Sequence, residues 1–286
     1  MKKSTTQHVP KYIHFTAKEL LQPYNPVTVN LIGAGGTGSQ MLTALARTSQ
    51  ALTALGHPGL FVRVFDDDKV ERANLARQLF TTAELKQYKS AALISRINRF
   101  FGTNWKAVTR KFDRHTIAEQ PGLAQASLTL SCVDTVAARF SIAEILKTTA
   151  LQKTNLNQRD RPLYLMDFGN SRDSGQVILS TIGEVEQPAS KKFSAVAYLP
   201  DVTEEFGDLL RSSEQTDHTP SCSLADALRK QDLFVNTALT GLGASLLWQF
   251  FREGMLFNRG FFMNLHDLRV QPLSVASAVH QPIAAA

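Results

Sequence analysis

A glycine-rich segment joins a strand-like run to a helix-like run near the start of the chain. The apolar run Val27 to Ile32 is typical of a strand, and Ser39 to Leu55 has the periodicity of a helix. Between them, Gly33 to Gly38 has the sequence GAGGTG and fits the pattern G-x-G-x-x-G. Such a turn offers backbone N–H groups and a helix N-terminus to a phosphate. The segment therefore indicates an α/β fold that binds a nucleotide.

Several classes of protein use this turn, so the motif alone does not assign an activity. Dehydrogenases, flavoproteins, methyltransferases and adenylating enzymes all carry versions of it. A P-loop has the same glycine spacing, but it requires Lys followed by Ser or Thr where this chain has Ser39 and Gln40. The sequence therefore excludes a P-loop and leaves the other classes open.

Strand-like and helix-like segments continue to alternate after this turn. The predicted segments are strands at residues 60–65, 107–109, 127–133, 163–168 and 176–182, and helices at residues 81–101 and 136–151. Thr81 and Glu84 form a capping box that predicts the start of the first of these helices. This order favours a Rossmann-like, doubly wound and mainly parallel sheet. Residues 261–275 predict a terminal hairpin that adds antiparallel edge strands.

The chain is predicted to contain one domain with short extensions. Residues 1–26 are expected to form a polar N-terminal arm, residues 27–275 the domain, and residues 276–286 a flexible tail. Within the domain, residues 183–222 lose their periodicity and contain three prolines, which predicts a long crossover loop.

Composition excludes several kinds of protein. Of the 286 residues, 43% are hydrophobic, which is enough for a substantial core. The net charge of +6 is too small for a protein that coats nucleic acid, so a nucleic-acid partner is not expected. Cys132 and Cys222 are the two cysteines, and they lie too far apart in sequence for a C-x-x-C pair. We therefore expect no structural zinc and a reducing compartment.

One segment has the length of a membrane span. Residues 233–251 carry no charge over 19 positions, but seven polar or glycine residues interrupt them. We therefore expect a core or subunit-interface helix there, and no membrane association. The first residues lack the apolar stretch of a secretory signal, which favours a cytoplasmic location.

Polar residues follow the second predicted strand at short intervals and recur after later elements. They are Asp66, Asp68, Asn74, Arg77, Gln78, Lys89 and Asp134. A dinucleotide dehydrogenase needs only the first acid, for its ribose hydroxyls. By contrast, an arginine, a lysine and a carboxylate able to hold Mg²⁺ suit attack on an α-phosphate, because the cations neutralise the charge that develops on phosphate oxygens.

In this order, the motifs resemble a known family. Ile32 with its glycine turn, the Asp66-to-Gln78 block, Lys89, the run 131–134 with Arg139, and Gly175-Gln-Val resemble ThiF and MoeB proteins, the ubiquitin-activating-type adenylyltransferases. The resemblance covers about residues 27–258. In length and in its divergent crossover, the chain is most similar to the ThiF-family protein of PRTRC (ParB-related, ThiF-related cassette) systems.

The resemblance implies ATP-dependent adenylation of the C-terminal glycine carboxylate of a small ubiquitin-like, β-grasp protein. The implied nucleotide-binding residues are Gly33, Gly35, Gly36, Gly38, Asp66, Asp68, Asn74, Arg77, Gln78 and Lys89. Among them, Asp66 would bind the ribose, Asn74 and Arg77 the phosphates, and Lys89 the α-phosphate. Gly35 and Gly38 would let the nucleotide approach the backbone, and Asp134 would hold Mg²⁺.

Cys222 corresponds to a family segment in which a cysteine precedes the helix after the crossover loop. In several relatives that cysteine forms a thioester or a persulfide-type link with the activated partner, so Cys222 is a candidate acceptor. The apolar segment 233–251 and the habit of the family both favour a homodimer.

The chain departs from the family in two ways. Relatives carry an arginine-rich N-terminal motif that reaches a neighbouring subunit's phosphates, whereas this chain has Lys11 and no arginine before Arg47. The zinc-binding cysteine pairs common in the family are also absent from its sequence. A non-enzymatic nucleotide-binding scaffold of a plasmid-type cassette therefore remains an alternative, as does an NAD-dependent oxidoreductase.

Some of these residues also have plain structural interpretations. Asp134 could cap the helix that follows it, a role that is compatible with metal binding. Cys132 lies among apolar residues and is expected to pack rather than react. Asp167-Phe-Gly matches the D-F-G string of kinases, but the companion kinase motifs are missing from the sequence, so we assign it no kinase role.

Overall fold

An eleven-stranded, eight-helix arrangement accounts for the part of the chain that the computed structural model describes, which is residues 11–75, 77–152, 160–213 and 231–276. The strands are β1 Lys11–Phe15, β2 Val27–Ile32, β3 Leu60–Phe65, β4 Lys106–Val108, β5 Leu128–Ser131, β6 Tyr164–Asn170, β7 Ser174–Thr181, β8 Phe193–Ala195, β9 Met255–Leu256, β10 Asn258–Asn264 and β11 Arg269–Ser274. The α-helices are α1 Lys18–Leu21, α2 Gly36–Ala54, α3 Lys89–Phe101, α4 Arg114–Glu119, α5 Val136–Leu151, α6 Val202–Glu205, α7 Gly207–Ser213 and α8 Val235–Arg252.

The central sheet is parallel in one half and antiparallel in the other. Its strand order is β11-β10-β7-β6-β5-β2-β3-β4. The five strands from β6 to β4 are parallel, whereas β7, β10 and β11 pair antiparallel to their neighbours. This arrangement confirms the predicted Rossmann-like sheet with antiparallel strands at its C-terminal edge. Strands β3 and β5 lie on opposite sides of β2, so the strand order reverses direction there. A ligand-binding crevice is therefore expected at the carboxyl ends of β2 and β5.

Helices cover both faces of the parallel strands. Every residue of β2 is buried, including the polar Thr28 and Asn30, whose side chains donate hydrogen bonds to Asp160 and to the carbonyl of Leu123. Leu31 faces the larger core, formed with α2, α3 and α8, while Ile32 faces a smaller core formed with α5. The two layers hold the end of β2 rigidly, and the glycine turn begins there.

Helix α8 contains most of the uncharged segment that has the length of a membrane span. Its buried side chains include Val235, Leu239, Leu247 and Phe250, which belong to the larger core. Within the described residues, no helix is long and apolar enough to cross a membrane.

The start of α3 differs from the prediction. The capping box of Thr81 and Glu84 is present, but it caps a single 3-10 turn at Thr82–Glu84, and α3 begins only at Lys89. Between them the chain makes a turn and then pairs with an earlier loop: Val70 donates to the carbonyl of Gln87 at 2.9 Å, and Lys86 donates to the carbonyl of Val70 at 2.9 Å. This pairing places Lys89, the first residue of α3, beside the end of β3.

The N-terminal and crossover segments both contribute to a second sheet. Strand β1 lies between β8, to which it is parallel, and β9, to which it is antiparallel. Ile13 of β1 is buried completely. The described part of residues 1–26 is thus built into the fold, and the region predicted as a crossover loop carries β8, α6 and α7.

His14 ties these segments together in the interior. Its Nδ1 donates to the carbonyl of Val196 at 2.6 Å, and the hydroxyl of Tyr164 donates to its Nε2 at 3.0 Å. The Tyr164 hydroxyl in turn accepts the backbone N–H of Ala17 at 2.9 Å. In this direction of hydrogen bonding the imidazole is neutral, and burial lowers the pKa of His14 below its ordinary value.

We expect His14 to make stability depend on pH. In the unfolded chain this histidine takes up a proton below about pH 6.5, whereas the folded state resists protonation. The free energy of unfolding should therefore fall as the pH decreases below about 6.5, by at most about 1.4 kcal/mol per pH unit from this group. Urea unfolding from pH 7.5 to 5.0 tests this, with His14→Gln as the control that lacks the contribution. Identical pH slopes for the two proteins would contradict it.

Candidate active site

A cavity of about 550 Å³ opens at the carboxyl ends of β2, β3 and β5. Its glycine-turn and polar lining residues include Gly33, Gly35, Gly36, Asp66, Asp68, Arg77, Gln78, Lys89, Asp134, Asn170, Gln231 and Asn236. Its size is typical of a small-molecule site. The cavity therefore brings together polar side chains that are separated by up to two hundred positions in the sequence.

The glycine turn forms one wall, and its glycines have different roles. Gly33 has φ +91° and lies so close to the carbonyl of Cys132 that a Cβ would come within 2.6 Å of that oxygen. A Cβ on Gly38 would meet the carbonyl oxygen of Gly33 at 1.9 Å, and one on Gly36 would meet Asn236 at 2.5 Å. Only at Gly35, among these four, would a Cβ find open space. Gly38 is thus needed to close the turn, while Gly35 leaves room for a ligand.

Asp66 joins the end of β3 to the turn. One of its carboxylate oxygens accepts the backbone N–H of Ala34 at 2.6 Å, and the other accepts that of Asp68 at 2.9 Å. Burial raises the pKa of Asp66, while these hydrogen bonds and the nearby Lys89 oppose that rise. The carboxylate therefore lies at the cavity wall in a fixed orientation.

Lys89 presents its ammonium group to the cavity from the first residue of α3. Its side chain is only 9% exposed, and Nζ lies 2.8 Å from a carboxylate oxygen of the exposed Asp68. Its backbone N–H also donates to the carbonyl of Asp68, at 2.8 Å. Two contacts with one loop residue therefore hold this cation at the cavity.

Arg77 and Gln78 carry buried polar atoms that no described part of the chain satisfies. The Nη1 of Arg77 donates to the side-chain oxygen of Gln231 at 2.8 Å, but its buried Nε has no partner among the residues that the structure describes. Burial lowers the pKa of this guanidinium, which remains charged near neutral pH because its ordinary pKa is so high. Within the described ranges, the side-chain oxygen of the buried Gln78 also lacks a partner. Such unsatisfied groups at a cavity are suited to a polar ligand.

Asn74 and Asp134 are placed differently. The side chain of Asn74 accepts the backbone N–H of Glu71 at 2.9 Å, and Asn74 is not among the residues that line the cavity. Asp134 is exposed and lines it. The cap of α5 is Thr135, whose hydroxyl accepts the N–H of Ala138 at 3.3 Å. The carboxylate of Asp134 is consequently not used as the helix cap.

A cluster of side-chain amides was missed by the sequence analysis. Asn236, at the start of α8, accepts hydrogen bonds from Thr37 at 2.9 Å and from Asn170. It also donates to Gln231 at 3.3 Å, which connects it to Arg77. The only sequence signal was a set of polar residues within an otherwise apolar helix, and it did not reveal that α8 packs against the glycine turn.

A buried ion pair beneath the cavity was also missed. Arg139 of α5 contacts the carboxylate of Asp167 in β6, and the two side chains are 6% and 3% exposed. Burial raises the pKa of Asp167, and the guanidinium of Arg139 opposes that rise. Asp167 is the aspartate of the D-F-G string. The sequence signal for this pair was that Arg139 and Asp167 each lie in a largely apolar segment. A charge buried in such a segment is costly and therefore requires a partner.

The two cysteines and a structural metal site were also the subject of predictions. Cys222 lies outside the described residues. Burial raises the pKa of Cys132, whose thiol therefore stays protonated beside the turn. No three His, Cys, Asp or Glu side chains come together as a metal site within the ranges that the structure describes.

Solved structures resemble the fold at low sequence identity. PaaA matches with a TM-score of 0.57 and 14% identity, over 90% of this chain and 74% of PaaA. E. coli MccB solved with ATP has a TM-score of 0.52, and MccB solved with MccA has 0.54, both at 15% identity over 90% of this chain. The chain spans 65% of MccB, which is less than two thirds of that protein.

Sequence comparison assigns the family. No curated protein matches the chain. The sequence pattern of the ThiF family, however, matches residues 11–229, which is well over half of the chain. The match includes the glycine turn, Asp66, Arg77, Lys89 and Asp134. The chain therefore belongs to the ThiF family.

Proposed function

We propose that this protein uses ATP to adenylate the C-terminal carboxylate of a small protein. The observation that carries the proposal is the convergence of Arg77, Lys89 and Asp134 on the cavity beside the glycine turn. A dehydrogenase would need the turn and Asp66, but it would have no use for two cations and a further carboxylate. A nucleotide that reacts at phosphorus uses all of them.

The residues at this cavity fit a nucleoside triphosphate. Helix α2 has 19 residues and begins at Gly36, so its N-terminus favours phosphate charge there. Gly35 leaves space for a ligand, and the free Nε of Arg77 offers a donor. Asp134 would hold Mg²⁺ together with phosphate oxygens, because this ion is commonly bound by one or two carboxylates and the substrate. When bound, Mg²⁺ neutralises triphosphate charge and orients it.

The reaction would proceed by attack of a carboxylate oxygen on the α-phosphorus, with pyrophosphate as the leaving group. Lys89 and Arg77 would contact phosphate oxygens, where negative charge builds up in the transition state. Asp66 would accept hydrogen bonds from ribose hydroxyls. Ligand binding would compete with Asp68 for the ammonium of Lys89 and with Gln231 for the guanidinium of Arg77.

The partner that we propose is a ubiquitin-like, β-grasp protein with a C-terminal glycine. MccB, which has been solved with MccA, supports the general idea of a protein or peptide partner. The narrower assignment to PRTRC systems rests on the sequence resemblance. We also propose a homodimer, because α8 carries exposed apolar residues such as Leu242. Lys11 lies exposed on β1 and outside the described cavity, so a second subunit is the place from which it could act.

Cys222 is the proposed acceptor of the activated carboxyl group. A thiolate can displace AMP from an acyl-adenylate, which forms a thioester. We expect Cys222→Ala to form the adenylate at the normal rate but to give no covalent adduct with the partner. Non-reducing electrophoresis after single-turnover reactions would detect the adduct, and Cys132→Ala is the control. An unchanged adduct in Cys222→Ala would place the acceptor elsewhere.

Calorimetry with Mg²⁺-ATP and with NAD tests the nucleotide assignment. We expect ATP to bind, NAD not to bind, and Asp134→Ala to weaken the binding of Mg²⁺-ATP about tenfold or more, as lost metal ligation does. Asp267→Ala, in the exposed turn between β10 and β11, is the matched control and should bind normally. Binding of NAD alone would overturn the proposal and favour an oxidoreductase.

A further inference from the structure

Arg139 connects three parts of the site through a single side chain. Its Nη1 contacts the carboxylate of Asp167 and donates to the carbonyl of Phe168 at 3.1 Å, so it is anchored to β6. Its Nη2 donates to the carbonyl of Val133 at 2.6 Å. Val133 immediately precedes Asp134, so the guanidinium joins β6 to the loop that carries the proposed metal ligand.

The backbone on both sides of Asp134 is held in place. Before it, Cys132 donates to the carbonyl of Ile32 at 2.8 Å, which ties the loop to β2. After it, Thr135 accepts the N–H of Ala138 and starts α5. Between Cys132 and Thr135 along the chain, Arg139 holds the loop through its hydrogen bond to the carbonyl of Val133. The exposed carboxylate of Asp134 therefore extends from a backbone that is fixed on both sides.

The chemistry of the Arg139–Asp167 pair suits a role in positioning the neighbouring loop better than a role in stabilising the fold alone. Burying two charges costs several kcal/mol of desolvation per ion, so a buried ion pair commonly adds little to stability compared with apolar side chains. Arginine, however, has a planar fork that can bind a carboxylate and backbone carbonyls together, which lysine cannot reproduce. This geometry is used here to bridge β6 and the Val133 carbonyl.

We propose that Arg139, anchored by Asp167, is a positioning residue that sets the direction in which Asp134 presents its carboxylate to Mg²⁺. This inference rests on the proposed function, since it requires Asp134 to be the metal ligand. Groups that orient a metal ligand typically change metal affinity by 10- to 100-fold when they are altered. Arg139 and Asp167 would thus act on the metal without touching it.

The test measures the gain in ATP affinity that Mg²⁺ provides. ATP is titrated into the purified protein by calorimetry, once in excess Mg²⁺ and once in a chelator, and the ratio of the two affinities is compared between variants. We expect Arg139→Lys to reduce this ratio by about tenfold or more, while the affinity for metal-free ATP stays the same. Asp167→Asn removes the anchoring charge with almost no change of shape and should act in the same direction.

Arg63→Lys is a control for the loss of a half-buried guanidinium that binds backbone carbonyls. Arg63 donates to Asn30 at 2.9 Å and to the carbonyls of Gly122 and Gln125, and it does not line the cavity. Its replacement should lower the thermal midpoint but leave the Mg²⁺ gain at the wild-type value. If Arg139→Lys does not fold, Asp167→Asn decides the question.

The outcomes separate this inference from the function on which it rests. An unchanged Mg²⁺ gain in Arg139→Lys and Asp167→Asn, with only a lower thermal midpoint, would overturn the positioning role. The proposed function would survive that result if Asp134→Ala abolishes the gain. If the wild-type protein shows no gain, or if Asp134→Ala retains it, both the metal assignment and this inference are overturned.

Discussion

Replacing Arg77 or Lys89 by alanine is expected to abolish adenylation while the fold is kept. Both side chains line the cavity. In a site that excludes water, the loss of one donor to a charge that develops in the transition state commonly costs 10²- to 10³-fold in rate. Pyrophosphate release from ATP in the presence of the partner protein should therefore fall at least about 100-fold in each variant.

The matched controls for these variants are Arg72→Ala and Lys106→Ala. Both residues are exposed and lie outside the cavity lining, so these proteins should react at the wild-type rate. Far-UV circular dichroism and thermal unfolding would establish that all four variants are folded. Wild-type rates in both Arg77→Ala and Lys89→Ala would remove these cations from the mechanism.

Two alanine substitutions in the glycine turn are expected to differ in their effect on stability. In Gly38→Ala the new methyl group would collide with the carbonyl oxygen of Gly33, a backbone atom that cannot turn away as a side chain can. Overpacking of this kind costs roughly 3 kcal/mol, so the thermal midpoint should fall by several degrees. In Gly35→Ala the methyl group meets no protein atom, and stability should stay near the wild-type value.

Although Gly35→Ala is expected to keep its stability, it should bind ATP more weakly than the wild-type protein. The Cβ of Gly35→Ala would occupy space that is open to the cavity, and we expect the affinity for ATP to fall about tenfold, or about 1.4 kcal/mol. Thermal unfolding and calorimetry on the same samples give both quantities. Normal ATP affinity in Gly35→Ala would show that the nucleotide does not approach the turn at this residue.

The central sheet could be predicted because its strands and helices have unambiguous patterns. Strand β2 is buried throughout and mostly apolar since both of its faces are covered, and the glycine turn marks the point at which α2 begins. The boundaries of α3 could not be predicted in the same way. The capping box at Thr81 is a correct local signal, but the pairing of Val70 with Lys86 and Gln87 holds the next residues in a turn. A tertiary contact overrides the local preference there.

The site was predictable where its residues lie close behind strands. Asp66, Lys89 and Asp134 each follow a parallel strand or start a helix at the same edge of the sheet, so their convergence follows from the topology. The amide of Asn236 reaches the cavity only because α8 packs on α2, about two hundred positions away. No spacing rule in the sequence connects these two helices.

The pair of Arg139 and Asp167 illustrates a different limit of sequence reasoning. Each residue was visible as part of a short motif, but nothing in the sequence shows that one guanidinium spans from β6 to the loop after β5. The energy of a buried charge depends on its partner, and the partner is known only when the two elements are placed side by side.

A crystal structure with Mg²⁺ and a non-hydrolysable ATP analogue tests the central claim most directly. The account predicts phosphate oxygens within about 3 Å of Arg77 and Lys89, the metal at Asp134, and the ribose beside Asp66. It also predicts that the hydrogen bond between Arg77 and Gln231 is exchanged for one to phosphate. An analogue whose triphosphate lies outside this cavity, or that makes no contact with either cation, would contradict the account.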